Sequence, residues 1–531
     1  MNRRDFIIKN VLASGIIFLP SPLLAFENML KLDNIAFDRS FVPEPIMEND
    51  SGFIDLYYKA WELAYKHIKT QTGLPQSPYM DEAFDDSTIW IWDTCFMVQF
   101  CKYAPAVFPG IESLNNFYAP LHDHVNIPLR IEIPDNPPLF AWTELEYFKF
   151  TNDQKHLEEL LLKKQYLQKH FDWFDTTKPG QVIADSAPTC LEKVKKGYHW
   201  EGGRSGMDNT PRGRTGEHAL KSRPNNPKML WIDAIAQQGL SALCISRLFK
   251  QLGNNGMSTK WKAIYEGIKT TVNEYYWDEK DGFYYDINED TLEPIKVVTP
   301  ASYWPMLAEM CSAKQAKKMV DKIKDSNVLG GAVPWVSLAR NDGDFKENGN
   351  YWRGSVWLPL AYMGIKSLEK YNYFELAHQN AYDIISHMEK TYREFTPHTI
   401  WECYNPVEPK PATNEHANNG LVRSDFCGWS ALGAISLLIE NVLGFYDINA
   451  TTKTVKWKKV RTDKHGIRRL KFGTVITDII AVGNKIEISS NEKYKLIVNG
   501  KTFKIEAIEK QVLDEFATIS GVITFFNLAR F

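Results

Sequence analysis

The segment EGGRSGMDNTPRGR, residues 201–214, sets one carboxyl group, Asp208, between helix-breaking glycines and a turn-forming Asn-Thr-Pro, with Arg204, Arg212 and Arg214 nearby. Four other stretches combine aromatic rings with charge. DDSTIWIWDTCF carries Trp90, Trp92 and Asp93, and NPPLFAWTELEYF carries Trp142 behind a Pro-Pro turn. ENGNYWRGSVWLPLAYM holds Tyr351, Trp352, Arg353 and Trp357, and HTIWECYNP sets Glu402 between Trp401 and Tyr404. Asn209 and Arg212, close to Asp208, and Trp429 complete the candidate set of substrate contacts. Sugars suit that combination: a pyranose has apolar C–H faces that stack on indoles and hydroxyls that seek charged or amide partners. Cleaving a glycosidic bond then takes two carboxyl groups, one protonated to serve the leaving oxygen and one ionised to activate water or attack directly. Burial raises a carboxyl pKa and nearby positive charge lowers it, so environment assigns the roles.

Each residue also has a plainer reading. Asp208 fits a helix N-cap with Arg212 as its ion-pair partner, and Glu402 fits an ordinary loop acid. Arg353 could clamp two loops through their carbonyls, and Trp357 could be core. NDGDFKENG, residues 341–349, spaces oxygen ligands, but not as an EF-hand does, and reads as a polar turn.

The elements that must position these loops are helices. From about residue 52 to 445, apolar residues recur at helical spacing in FIDLYYKAWELAYKHIKT, HLEELLLKKQYLQKHFDWF, WIDAIAQQGLSALCISRLFKQLG, STKWKAIYEGIKTTVNEYYW, SVWLPLAYMGIKSLEKY and YFELAHQNAYDIISHMEKTYREF. Roughly a dozen amphipathic helices, joined by chemically rich loops, fit a closed double ring of helical hairpins. A helical solenoid is the rival, but no fixed sequence period supports it. After about residue 446 the pattern alternates in twos, with β-branched residues and an Asn-Gly turn at 499 and 500, which predicts a small antiparallel β module. The expected organisation is an export signal at 1–26, a lead-in at 27–50, a helical domain at 51–445 and the β module at 446–531.

Bulk properties narrow the partners. With 62 basic and 65 acidic side chains the net charge is −3, which leaves no polycation to follow a phosphate backbone, so nucleic acid is excluded as an expected partner. The N-terminal MNRRDFIIKNVLASGIIFLPSPLLAF has a basic start, a short apolar stretch and small residues, the layout of an export signal of twin-arginine type, and implies a periplasmic protein. No other window offers the ~20 apolar residues of a membrane span. Seven cysteines without C-x-x-C spacing indicate neither a disulfide framework nor a zinc site.

Together, IWDTCF, PPLFAWTELEYF, SGMDNTPR, GGAVPWVSLARNDGDFKENGNYWRGSVWLPLAYMGIKSL and WECYNP closely resemble the family 63 glycoside hydrolases, which include processing α-glucosidase I and the mannosylglycerate hydrolases, with trehalase more distant. The motifs span residues 85 to 430 in the family's order. The resemblance implies a mainly α fold, an (α/α)6 barrel, and inverting exo-hydrolysis of an α-linked glucoside or mannoside without metal or organic cofactor. Asp208 is implied as general acid and Glu402 as general base, with Asp93, Trp92, Trp142, Arg353 and Trp357 lining the sugar subsite. The sequence departs from the pattern at Arg204, at Gly213-Arg214 and at Cys403. An arginine-rich rim would suit an anionic substrate, so the alternatives are an acidic or rhamnose-bearing oligosaccharide and, from another class, a catalytically silent sugar-binding protein. The oligomeric state stays open.

Overall fold

Two of the longest apolar stretches in the helical region carry almost no charge, and they form the most deeply buried helices of the computed structural model. The structure describes residues 36–82, 85–183, 185–213, 226–415 and 417–515. The export segment, the residues around Arg214 and the last residues of the chain lie outside that range. The helices used below are α1 (Ser51–Lys66), α2 (Ile91–Cys101), α3 (Asn115–His122), α4 (Phe140–Thr151), α5 (Tyr166–Thr176), α6 (Ile232–Gln251), α7 (Asn255–Tyr275), α8 (Ala313–Lys324), α9 (Leu358–Lys370) and α10 (Phe374–Glu394). A π-helix, Leu432–Val442, follows.

Every residue of α2 and of the π-helix is buried, whereas α7 buries only Trp261, Tyr265 and Val272. Helices apolar all round must sit inside, and one-sided helices must cover them. The inner members form a ring: α2 packs on α4, α4 on α6, and α6 on the short helix Trp304–Leu307. That helix packs on α9, α9 on the π-helix, and the π-helix back on α2. Outside, α7 covers α6, while α1 and α10 cover the π-helix. The stretch read as one helix around residues 156–174 is broken: a short helix, Gln154–Glu158, runs into a π-turn, Glu159–Lys163, and α5 starts anew after Gln165 takes a left-handed φ of 55°.

The direction of the inner helices decides where the chemistry goes. Asp93 lies in the first turn of α2, Trp142 in that of α4 and Asp233 in that of α6, while Trp357 immediately precedes α9. The C-terminal ends of α2, α4 and α9 line a separate cavity of about 330 Å³, walled by Lys102, Lys149, Lys366 and Glu440 among others. Lysines suit the negative ends of helix dipoles. Burial alone would raise the Glu440 carboxyl, but Lys102 and Lys366, 3.0 and 2.8 Å away, hold it down to about 2.

The strands after residue 446 form two sheets. One has five antiparallel strands in the order Glu44–Met47, His465–Phe472, Val475–Val482, Lys485–Ser490 and Ile508–Asp514. Its edge strand comes from the expected lead-in segment, with Glu44 opposite Arg468. The other sheet orders Asp447–Asn449, Thr454–Trp457, Tyr494–Val498 and Lys501–Ile505. Its central pair, Thr454–Trp457 with Tyr494–Val498, is parallel, which corrects the purely antiparallel expectation. The hairpin turn at Asn499-Gly500 is present, with φ of 47° and 87°. At the junction, Gly444 (φ 92°) lets the chain turn so close to Lys458 that a Cβ would sit 2.2 Å from its carbonyl oxygen. Trp457 there stacks on Phe445 and donates to the Leu443 carbonyl. The described residues from Arg39 onward form one compact unit.

Candidate active site

The five aromatic and charged loops meet at the N-terminal end of the inner ring. Helix N-termini carry roughly half a positive charge each, which is why an end crowded with carboxyl groups can be tolerated there.

Glu402 is 1% exposed, and its backbone is fixed on both sides. Its N–H donates to the Arg423 carbonyl at 2.9 Å, and its own carbonyl accepts from Trp429 Nε1 at 2.8 Å and Ser430 Oγ at 3.0 Å. Oε1 accepts the Tyr351 hydroxyl at 3.0 Å, and Oε2 accepts the Arg423 N–H at 3.1 Å. Two donors on two oxygens is the environment of an ionised carboxylate. Burial raises its pKa, while the Arg423 charge and those two hydrogen bonds oppose the rise.

Asp208 sits at a turn and is half-buried. Among the described residues it is followed closely only by the three-residue turn Pro211–Gly213. Gly206, two residues before it, takes a φ of 84° and lies on Trp92: a Cβ would stand 3.1 Å from the indole. The two carboxyls share neighbours. Burial raises Asp93 well above the usual carboxylate range, and the charges of Glu402 and Asp208 push it further up while Arg423 opposes them. Burial likewise raises the Tyr351 phenol, and again Glu402 and Asp208 both add to the effect. Residues nearly two hundred positions apart therefore act on the same two buried groups.

Most of the sequence-predicted residues gather here. Tyr351 holds Glu402, its carbonyl accepts Trp357 Nε1 at 3.1 Å, and its ring meets the Trp357 ring edge-on at 4.8 Å. Trp352 stacks flat on Trp357 at 3.9 Å, and Trp429 tilts against Trp357. Trp92, Asp93 and half-buried Trp90 enter on the start of α2. Trp401 precedes Glu402 directly, and its N–H donates to the Tyr404 hydroxyl, so Tyr404 braces the Glu402 turn. Isolated bridges from Val336 to Val356, Val356 to Tyr404 and Tyr404 to Pro411 tie these loops into one strip.

Other expectations are corrected. Arg212, read as a substrate contact or an Asp208 partner, is 1% exposed and pairs with other carboxylates. It forks onto Asp233 (2.6 and 3.0 Å) and Asp286 (2.7 and 2.9 Å), beneath the Trp231 ring. Asn209 is 3% exposed and links two loops through its amide. Arg353 donates to the Asn209 carbonyl at 3.3 Å, the clamp its plainer reading described. Trp142 packs among Phe96, Trp304 and Tyr362 and faces the cavity at the opposite end of the ring. Arg204 does not form an open cationic rim: it is bound to Asp135, Glu201 and the Pro188 carbonyl. Arg214 lies outside the described residues.

Sequence reasoning missed Arg423 and Glu82. Arg423, exposed in LVRSD, lacks the aromatic neighbours that marked the other loops, yet its charge lowers both Asp93 and Glu402. Glu82 is fully buried, and burial together with Asp81 and Asp93 raises its carboxyl well above the ordinary range. A carboxyl whose folded pKa exceeds its unfolded value supports the fold below the ordinary carboxylate range and withdraws that support as pH rises through the raised value. Glu82→Gln is therefore expected to stabilise the protein by about 1–3 kcal/mol near pH 8 and much less near pH 5. Thermal melts at the two pH values check this, and an equal change at both would overturn it. Among the described residues no group of three or more His, Cys, Asp or Glu could hold a metal ion.

Residues 133–418 match the model of the mannosylglycerate hydrolase MGH1-like glycoside hydrolase domain, more than half of the chain. The chain belongs to this family. It is a glycoside hydrolase, and its own fold is helix-rich with C-terminal sheets. An uncharacterized protein of Borreliella burgdorferi is 25% identical over 85% of this chain and 93% of its own length. A probable mannosyl-oligosaccharide glucosidase of Schizosaccharomyces pombe is 23% identical over 57% of this chain, which spans only 38% of that relative. Among solved structures, a sialidase aligns with TM-score 0.65 at 12% identity over 90% of this chain and 42% of that one. The GH63 mannosylglycerate hydrolase from Thermus thermophilus in complex with glucose aligns with TM-score 0.51 at 16% identity, over 72% of this chain and 99% of that one. At such identities the structural likeness concerns the fold.

Proposed function

We propose that this glycoside hydrolase is an inverting exo-glycosidase acting on an α-linked glucoside or mannoside, with Asp208 as general acid and Glu402 as general base. The closed ring of inner helices with one-sided helices outside it supports reading the fold as an (α/α)6 barrel. The observation that carries the assignment is the hydrogen-bonded link between their loops: Asn209, next to Asp208, bonds Asn350 and Trp352 on either side of Tyr351, whose hydroxyl meets Glu402. Asp208, on the half-exposed turn, donates its proton to the glycosidic oxygen as the C–O bond breaks. Glu402, buried and hydrogen-bonded as a carboxylate, takes a proton from water as that water attacks the anomeric carbon from the opposite face. A base of raised pKa pulls harder on that proton, provided it is still ionised at working pH. Inversion requires a carboxyl separation of roughly 6.5–9.5 Å, room for the water.

Glucosides and mannosides are favoured by the glucosidase and mannosylglycerate hydrolase relatives. Arg204, ion-paired with Asp135 and Glu201, does not support a reading of it as a cationic rim for an anionic substrate. The twin-arginine layout of the N-terminus supports a periplasmic place of action. Anomer-resolved NMR of hydrolysis, run on a panel of α-linked glucosides and mannosides, tests the mechanism. The first product is expected as the β anomer, and an α anomer formed first would overturn inversion.

A further inference from the structure

Asn209 follows Asp208 directly in the turn. Its Nδ2 donates to the Asn350 carbonyl at 3.0 Å, and its Oδ1 accepts the Trp352 N–H at 2.7 Å. The residue enclosed between those two bonds is Tyr351. Both Asn350 and Tyr351 hold left-handed backbone, with φ of 34° and 63°, a conformation that residues with side chains keep only where their surroundings impose it. Thr413 supplies part of that constraint through its carbonyl and hydroxyl. Trp357 Nε1 on the Tyr351 carbonyl adds to it, and the Asn209 amide ties the turn to the loop that carries Asp208. The left-handed turn in turn aims the Tyr351 hydroxyl at Glu402 Oε1.

We propose that Asn209 is a positioning residue that sets the spacing of the two carboxyls: its amide brackets the strained turn at Tyr351, and Tyr351 carries that position to Glu402. The inference rests on the assignment of Asp208 and Glu402 above. Its chemical sense is that an inverting site works only with a water-sized gap, and a misplacement of about 1 Å can cost roughly 10²-fold in rate. Acid and base stand on separate loops, so a direct mechanical link between those loops holds the gap better than two independently packed turns.

The test uses the full-length protein with α-D-glucosyl and α-D-mannosyl fluoride as probes, whose good leaving group needs little acid assistance and so reports on the base. Asn209→Ala is expected to lower kcat by about 10²-fold with KM changed by less than about threefold, because the altered distance matters at the transition state rather than in sugar binding. Tyr351→Phe should lower kcat similarly, and the double variant should be no slower than the slower single one, since both act through one hydrogen bond on Glu402. Additive losses in the double variant, or a loss confined to KM, would overturn the bracket. Should Asn209→Ala fail to fold, Asn209→Asp carries the test: it keeps the acceptor for the Trp352 N–H and replaces the donor to the Asn350 carbonyl with a repelling oxygen, so the same kcat loss is expected and wild-type kcat would refute the proposal. Glu402→Gln separates the two levels: if it retains full turnover, the acid and base assignment has failed, whereas an inactive Glu402→Gln beside a fully active Asn209→Ala refutes the bracket alone.

Discussion

Glu402→Gln is expected to lower kcat by about 10²–10⁴-fold while sugar affinity stays near that of the native protein. Gln keeps the shape of Glu402 but cannot take a proton from water. The surroundings allow the swap: Oε2 faces the Arg423 N–H and must stay an acceptor, whereas Oε1 faces the Tyr351 hydroxyl, which can turn from donor to acceptor toward an amide nitrogen. The amide therefore has one orientation with both hydrogen bonds satisfied, and the loss is chemical rather than structural. Asp208→Asn should be equally damaging for a glycoside with a poor leaving group, but far less so for a glycosyl fluoride, which departs with little protonation. Steady-state kinetics on both substrate types, with calorimetric titration of the sugar product, checks the pair. A catalytically silent binding protein would show no turnover to lose, and undiminished rates would remove both residues from the mechanism.

Arg212→Ala is expected to destabilise the fold by about 3–5 kcal/mol. The guanidinium makes four short hydrogen bonds to Asp233 and Asp286, and all three side chains are at most 3% exposed. Removing the cation leaves two carboxylates buried together without the charge that compensates them, a far larger cost than losing the attraction itself. Asp286 also accepts the Ile232 N–H at the start of α6, so the damage reaches the end of an inner helix. Arg212→Lys should be nearly as harmful, because one ammonium cannot reproduce a fork onto two carboxylates. Denaturant unfolding measures the change, and a loss below about 1 kcal/mol would show the triad to be dispensable.

Arg212 also marks how far the sequence could be read. The motif SGMDNTPR marks a loop built for chemistry, and spacing alone put an arginine four residues from the acid. Its partners, though, come from the start of α6 and from a strand near residue 286, and no local pattern announces them. Arg423 escaped for the opposite reason: it sits in an unremarkable polar loop, and only the pairing of that loop's backbone with Glu402 brings its charge to the site. The edge strand Glu44–Met47 is too short for alternation to be seen, and its partner lies more than four hundred residues downstream.

The amino-acid order by itself determined what depends on neighbours along the chain: the helical periodicity, the Asn-Gly hairpin, and the two carboxyl groups held in turns beside aromatic rings. Tertiary structure decided which side chains meet. It sent Arg212 and Arg204 into ion pairs, turned Trp142 toward the far cavity and made Asn209 a link between loops. Burial and charge pairing depend on what faces a residue across the ring of helices, and that is settled only when the inner helices close against one another.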